Sequence, residues 1–145
     1  MIPALEADGT LPAGIHEAGW DEIEKRFGST PHRRRLLDGF RRAALALREA
    51  GCKRVYLDGS FVTSKEEPGD FDACWEVQGV SAARLDPVLR TFNNGRVAQK
   101  MKYGGELFPA MSKAEAFRTF LDFFQISRDT GEAKGIVAID LGKLA

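Results

Sequence analysis

YLDGSFVTSKEEPGDFDACWE, Tyr56 to Glu76, decides how the rest of the chain is read. A strand-like run ends in Gly59-Ser60, a polar loop closes on Pro68-Gly69, and two aspartates, Asp70 and Asp72, then follow among apolar neighbours. Side chains alternate along a strand, so Asp70 and Asp72 point the same way with Cα atoms roughly 7 Å apart, within reach of one metal ion. Phe71, Ala73 and Trp75 point to the opposite face, where they pack under helices and hold the acidic face rigid. Carboxylates are among the least welcome residues in mid-sheet, and two on one face suggest chemistry. The plainer alternative is a solvated edge strand or a structural cation site.

At the other end of the loop, Gly59 leaves room for close backbone approach. Ser60 opens a short helix through Phe61-Val62-Thr63, whose hydroxyl and N–H groups would face a phosphate; otherwise Ser60 is a turn or cap residue and in neither case a nucleophile. A phosphate cradle beside two carboxylates points to Mg²⁺ (or Mn²⁺) and a nucleotide, because hard divalent ions are held by a few carboxylates plus substrate phosphates.

Working outward, Trp20 to Phe27 reads as a short helix stopped by Gly28. Ser29 or Thr30 caps a second helix with Pro31 in its first turn; Leu36, Leu37, Phe40, Ala44 and Leu47 form its apolar stripe and Gly51 its stop. Strand one is Arg54 to Asp58 and strand two Asp70 to Val77, side by side. Ser81 to Phe92 reads as a helix, delayed to Asp86 by Pro87, with Asn93-Asn94-Gly95 as its exit. A third strand lies within Lys102 to Phe108. Ser112 to Glu115 reads as a capping box before a helix with a core stripe of Phe117, Phe120, Leu121 and Phe124. Asp129 to Glu132 makes a turn, and Gly135 to Leu141 is the last strand. Residues 1–19 form an N-terminal arm, extended through Gly14, that packs over the domain. Helices alternate with strands, so the fold class is α/β (α+β): one domain over residues 1–145 with a mixed, mostly covered sheet of about four strands.

The residues of the opening stretch resemble a family. The polymerase-beta-like nucleotidyltransferases carry a hydrophobic residue, Gly and Gly or Ser, a spacer of about nine to thirteen residues, then Asp-hydrophobic-(Asp or Glu)-hydrophobic. Here Leu57-(Asp58)-Gly59-Ser60, the spacer Phe61 to Gly69 and Asp70-Phe71-Asp72-Ala73 match in type and spacing. The resemblance is to the minimal single-domain branch, including small prokaryotic proteins associated with toxin-antitoxin or defence loci, and it spans about Pro31 to Phe108. It implies a nucleotidyltransferase in which Asp70 and Asp72 hold Mg²⁺ and Glu106, on the strand after the next helix, completes the set. Asp140 is the alternative third acid. The resemblance further implies that Gly59 and Ser60 seat the phosphates of a nucleoside triphosphate. A hydroxyl on RNA, protein or a small molecule would attack the α-phosphorus as pyrophosphate leaves. The rival is an inactive or weakly active interaction module of the same fold with a toxin-antitoxin partner.

Lys134, between a Gly-containing turn and the last strand, is the best placed of Lys100, Lys102 and Lys134 to neutralise a triphosphate. His16 and His32 read as packing or surface residues. The cations His32 to Arg35 with Arg41-Arg42 read as a solvated helix face, or as a contact for nucleic acid or an acidic partner.

Bulk composition adds little. The 145 residues are 43% hydrophobic and 29% charged, with 21 Lys+Arg against 21 Asp+Glu, so overall charge proposes no polyanionic partner. Cys52 and Cys74 make no CxxC pair or zinc cluster and read as free thiols of a cytoplasmic protein, Cys74 as a buried thiol on the Asp70/Asp72 face. MIPALEADGTLPAG has no basic segment followed by an apolar run, and no stretch is apolar enough to cross a bilayer, so neither secretion nor membrane insertion is expected.

Overall fold

The computed structural model describes residues 1–128 and 130–144. Asp129, part of an expected turn, lies outside the described residues. Helix α1 (Trp20–Phe27) presents Ile23 and Phe27 to the core. Helix α2 (Pro31–Glu49) begins where Thr30 accepts a hydrogen bond from the Arg33 N–H and Pro31 occupies the first turn, where its missing donor costs nothing. Strand β2 (Arg54–Asp58) leads into a single 3₁₀ turn, Gly59–Val62, and strand β3 (Phe71–Trp75) returns antiparallel beside β2. Strand β4 (Gly105–Pro109) lies parallel to β3, with Asp72 opposite Glu106. Strand β7 (Gly135–Asp140) runs antiparallel along the other side of β2.

A fifth strand comes from the expected arm: β1 (Gly14–Glu17) pairs in parallel with β7. The sheet order is β1-β7-β2-β3-β4, mixed α+β as expected, with one strand more than sequence patterning predicts. The arm also packs inward, burying Ile2 and Leu11.

The two sheet faces differ. Val55, Leu57, Phe71, Ala73, Trp75, Leu107, Val137 and Ile139 join the stripes of α1 and α2 in the main core. Phe71 meets Phe40 edge-on at 5.2 Å. Across the sheet a smaller cluster, Tyr56, Cys74, Ala110, Ile136 and Ala138, is covered by Phe120, Leu121 and Phe124. This cover reaches only part of that face. The row Asp58, Asp72 and Glu106 lies at the end of the sheet where β2 leaves and β3 enters.

Two expected helices are corrected. Ser81 to Phe92 holds only a 3₁₀ turn, Pro87–Arg90, capped by the Asp86 side chain on the Val88 N–H. The helix comes later: α3 (Asn93–Tyr103) starts through left-handed backbone at Asn94, Gly95 and Arg96, so the expected exit is its entrance. Its buried face is only Gln99 and Tyr103, too little to register as an apolar stripe. Gln99 nonetheless reaches the sheet edge, accepting the Leu107 N–H at 2.7 Å.

Ser112 to Glu115 does not cap a helix. Strands β5 (Lys113–Glu115) and β6 (Arg118–Thr119) form a hairpin, and α4 is the single turn Phe120–Phe123, begun by Thr119 accepting the Asp122 N–H. Phe117 falls on the hairpin turn and is 97% exposed, so it leaves the expected stripe, while Phe120, Leu121 and Phe124 pack inward. Both cysteines are free and buried. Among the described residues no helix is long and apolar enough to cross a membrane.

Candidate functional site

The acidic end of the sheet opens into a cleft of about 960 Å³ between the Gly59–Val62 turn, β3, β4 and the α4 segment. Gly59, Ser60, Asp70, Asp72, Glu106 and Lys134, the residues singled out in the sequence, all line it. Asp72 projects from within β3, and Asp70 stands at the entry to the strand.

Gly59 has a structural reason to be glycine. Its φ is +73°, and a Cβ there would lie 2.2 Å from Asp72 Oδ2. The turn therefore packs against the carboxylate itself. The expected short helix is one 3₁₀ turn, too short to carry an appreciable macrodipole, so any anion there depends on the Ser60 hydroxyl and on nearby cations. Thr63 closes the turn, its hydroxyl donating to the Ser60 carbonyl at 2.6 Å.

The electrostatics are those of crowded acids. Burial, then Asp70 and Glu106, push the Asp72 carboxyl up to about 7. Asp70 is raised by burial and then by Glu106. Lys134 and Lys100 act in the other direction on Asp72, and Lys100 and Lys65 on Asp70. Glu106 shares the sheet face with Asp72, and its carboxylate is engaged: Oε2 accepts from Arg96 Nε at 3.0 Å and Oε1 lies 3.2 Å from Lys100 Nζ. Among the described residues no three His, Cys, Asp or Glu side chains are grouped so as to hold a metal ion. Asp140 is remote, opposite Arg54 at the far end of β2, and its carboxylate accepts the Gly142 N–H. Lys102 pairs with Asp86 at 2.6 Å, away from the cleft.

Three features escape sequence reading. Asp58, directly opposite Asp72, is fully buried; its Oδ1 has no hydrogen-bond partner and its Oδ2 has only the Cys74 thiol at 3.9 Å. Burial and then Asp72 hold its carboxyl well above the usual range. Arg33, within the basic run, is buried rather than solvated. Its guanidinium donates to the carbonyls of Phe27, Phe61, Thr63 and Lys65, and it covers the Phe61 ring at 4.9 Å, tying the cleft loop to α2. Finally, Phe108, Phe120, Phe123 and Phe124 give the cleft an aromatic wall, with Phe108 and Phe120 stacked at 4.0 Å.

Three further arginines of the basic run are used locally. Arg34 donates to the Gly28 carbonyl, Arg41 covers Trp20 at 5.3 Å, and Arg42 pairs with Asp38 and donates to the Lys102 carbonyl. His16 and His32 bond the carbonyls of Pro12 and Pro68, as packing histidines do.

Residues 3–140 match the model of a family of unknown function, DUF6932, and the chain belongs to that family. No curated protein and no solved structure matches it.

Proposed function

We propose that the chain is a divalent-cation-dependent nucleotidyltransferase-like protein whose cleft binds a nucleoside triphosphate. The observation that carries this reading is the convergence of Asp70, Asp72, Gly59, Ser60 and Lys134 on one cleft that also has an aromatic wall. Such a cleft has acids for a cation, a lysine and a serine for phosphate, and flat apolar surface for a base.

The acids fit a hard cation. Oxygen donors only, two of them raised by burial and mutual repulsion, are the donor set of Mg²⁺ or Mn²⁺, which needs few protein carboxylates when phosphate and water supply the rest. Asp70 and Asp72 would hold it; when bound, it would supply positive charge to the reacting phosphates. Lys134 lines the same cleft, acts on Asp72 and would neutralise a phosphate oxygen. Ser60 would donate its hydroxyl to another. Phe120 and Phe123 would exclude water from the far end of the cleft. The transfer would join an acceptor hydroxyl on RNA, protein or a small molecule to the α-phosphorus, with pyrophosphate leaving.

A second reading is favoured by the pairing of Glu106 with Arg96 and Lys100 and by the exposed Met111 and Phe117 beside the hairpin. Here the chain is an interaction module with little turnover, docking on a partner such as a toxin or antitoxin. Incubation with each α-labelled nucleoside triphosphate, Mg²⁺ and cellular RNA or protein separates the two. Label transfer lost in Asp70→Asn/Asp72→Asn supports the enzyme. Nucleotide-dependent stabilisation without transfer supports the module, and neither effect removes the nucleotide site altogether.

A further inference from the structure

The sequence pattern offers Glu106 as the third acid of a cation site, yet both of its oxygens are engaged, one by Arg96 and one by Lys100. Arg96 adopts left-handed backbone, φ 61°, and also lies over Phe108 at 5.6 Å, so this pairing is built into the entrance of α3. A carboxylate shared by two cations offers little charge to a third.

Asp58 is in the opposite condition. It is sealed from solvent, carries an unpartnered oxygen, and among the described residues has no ion pair. Register puts it against Asp72 on the sheet face that carries the cleft. A buried carboxyl without partners is costly, and a second acid facing it raises the cost; a divalent cation shared by the two relieves both. The thiol of Cys74, its other neighbour, is a soft group that a hard cation does not recruit.

We propose that Asp58, rather than Glu106, partners Asp72 in a divalent-cation site just beneath the lining of the cleft, reached through Asp72, with Asp70 at the cleft wall above it. This rests on the reading of the cleft as a cation-dependent nucleotide site. Charge supports it: Lys134 acts on both Asp58 and Asp72 but is a single charge against two carboxylates, whereas Glu106 already has two cations of its own, Arg96 and Lys100. It also explains why an aspartate precedes Gly59, where the family pattern of the opening stretch has no acid.

The test is Mn²⁺ binding to the intact chain, read by the electron paramagnetic resonance of free Mn²⁺ and by melting temperature, with and without a nucleoside triphosphate. Asp58→Asn is expected to weaken binding by about tenfold or more, and Glu106→Gln by less than about threefold. Retention by Asp58→Asn, or an equal loss in Glu106→Gln, overturns the proposal and leaves the cation site itself standing. No Mn²⁺ binding by the wild type in either condition overturns both. Because Asp58 is buried, a measurement on the wild type guards against misfolding: on titration with Mg²⁺, the ¹³C carboxyl resonance of Asp58 should shift and that of Glu106 should not. A shift of Glu106 without Asp58 overturns the assignment.

Discussion

Asp58 and Asp72 sit directly opposite each other on antiparallel neighbours β2 and β3, both withdrawn from water and both on the acidic face of the sheet. Two carboxyls so placed repel when both are ionised, and each ionises reluctantly in low dielectric.

Stability must therefore depend on pH with a definite sign. Asp72 titrates at about 7 in the folded chain and Asp58 above the usual range, while both fall near 4 when unfolded. The native state holds more protons on these two carboxyls between those values, so their contribution to stability is full below about pH 4 and is lost as pH rises through about 7. Metal-free protein should melt higher at about pH 5 than at about pH 8, with a shallower slope in Asp72→Asn and with saturating Mn²⁺. An Asp72→Asn slope equal to the wild type's would assign the titration elsewhere.

Gly59→Ala places a methyl group on left-handed backbone, at a cost of about 1–2 kcal/mol, and drives it into Asp72 Oδ2. The second effect is separable. Asp72→Ala removes the nearest atom, so the double mutant should lose less stability in urea than the two single losses added together. Strict additivity would mean that the turn and the carboxylate do not touch in solution.

These two acids and this glycine also show what the sequence could and could not tell. Asp70 and Asp72 were legible because their spacing at the start of a strand pattern points both toward one side, and Asp70, one residue before β3, does line the same cleft as Asp72. Strand β2 and helices α1 and α2 were legible because their boundaries carry local chemistry, such as Thr30-Pro31 and Gly28. Asp58 was written in the same strand, but its condition depends on which residue pairs across from it. Strand β1 has four residues with no alternation, and its partner β7 is at the other end of the chain. The Ser112-to-Glu115 box was a true local signal overridden by hairpin pairing. Arg33 was readable in principle: it falls in phase with Leu36, Leu37 and Phe40, and only its charge argued against burial.

Arg33 holds four carbonyls with one rigid fork, a task that a lysine ammonium cannot repeat. Arg33→Lys leaves several buried acceptors unmet, each worth about 1–3 kcal/mol, so a loss of about 3 kcal/mol in denaturant unfolding is expected. Amide exchange should quicken most around Thr63 and Ser64, where the loop is pinned to α2 and to the Gly9 carbonyl. A mutant as stable as wild type would show these contacts to be replaceable by water.

Phe123 offers the sharpest test of the cleft's far end. Phe120 and Phe124 are committed to the small core on this sheet face, and Phe108 is buried against them, stacked on Phe120 at 4.0 Å, with Phe120 near Phe124 at 6.1 Å. Phe123 lines the cleft but does not belong to that core, and among the described residues its ring meets that of Phe124 edge-on at 5.6 Å. Its removal should therefore cost little stability. If a nucleobase stacks on this wall, Phe123→Ala should lose about 1–3 kcal/mol of binding to a nucleoside triphosphate, the usual worth of one base on one ring. Inorganic tripolyphosphate, which has charge and no base, should bind wild type and mutant alike through Lys134, Ser60 and the cation. Calorimetry with both ligands distinguishes the outcomes: a loss confined to the nucleotide assigns the base to the aromatic wall. An equal loss for both ligands would mean that Phe123 shapes the cleft as a whole, and equal wild-type affinity for both would mean that the base makes no contact there.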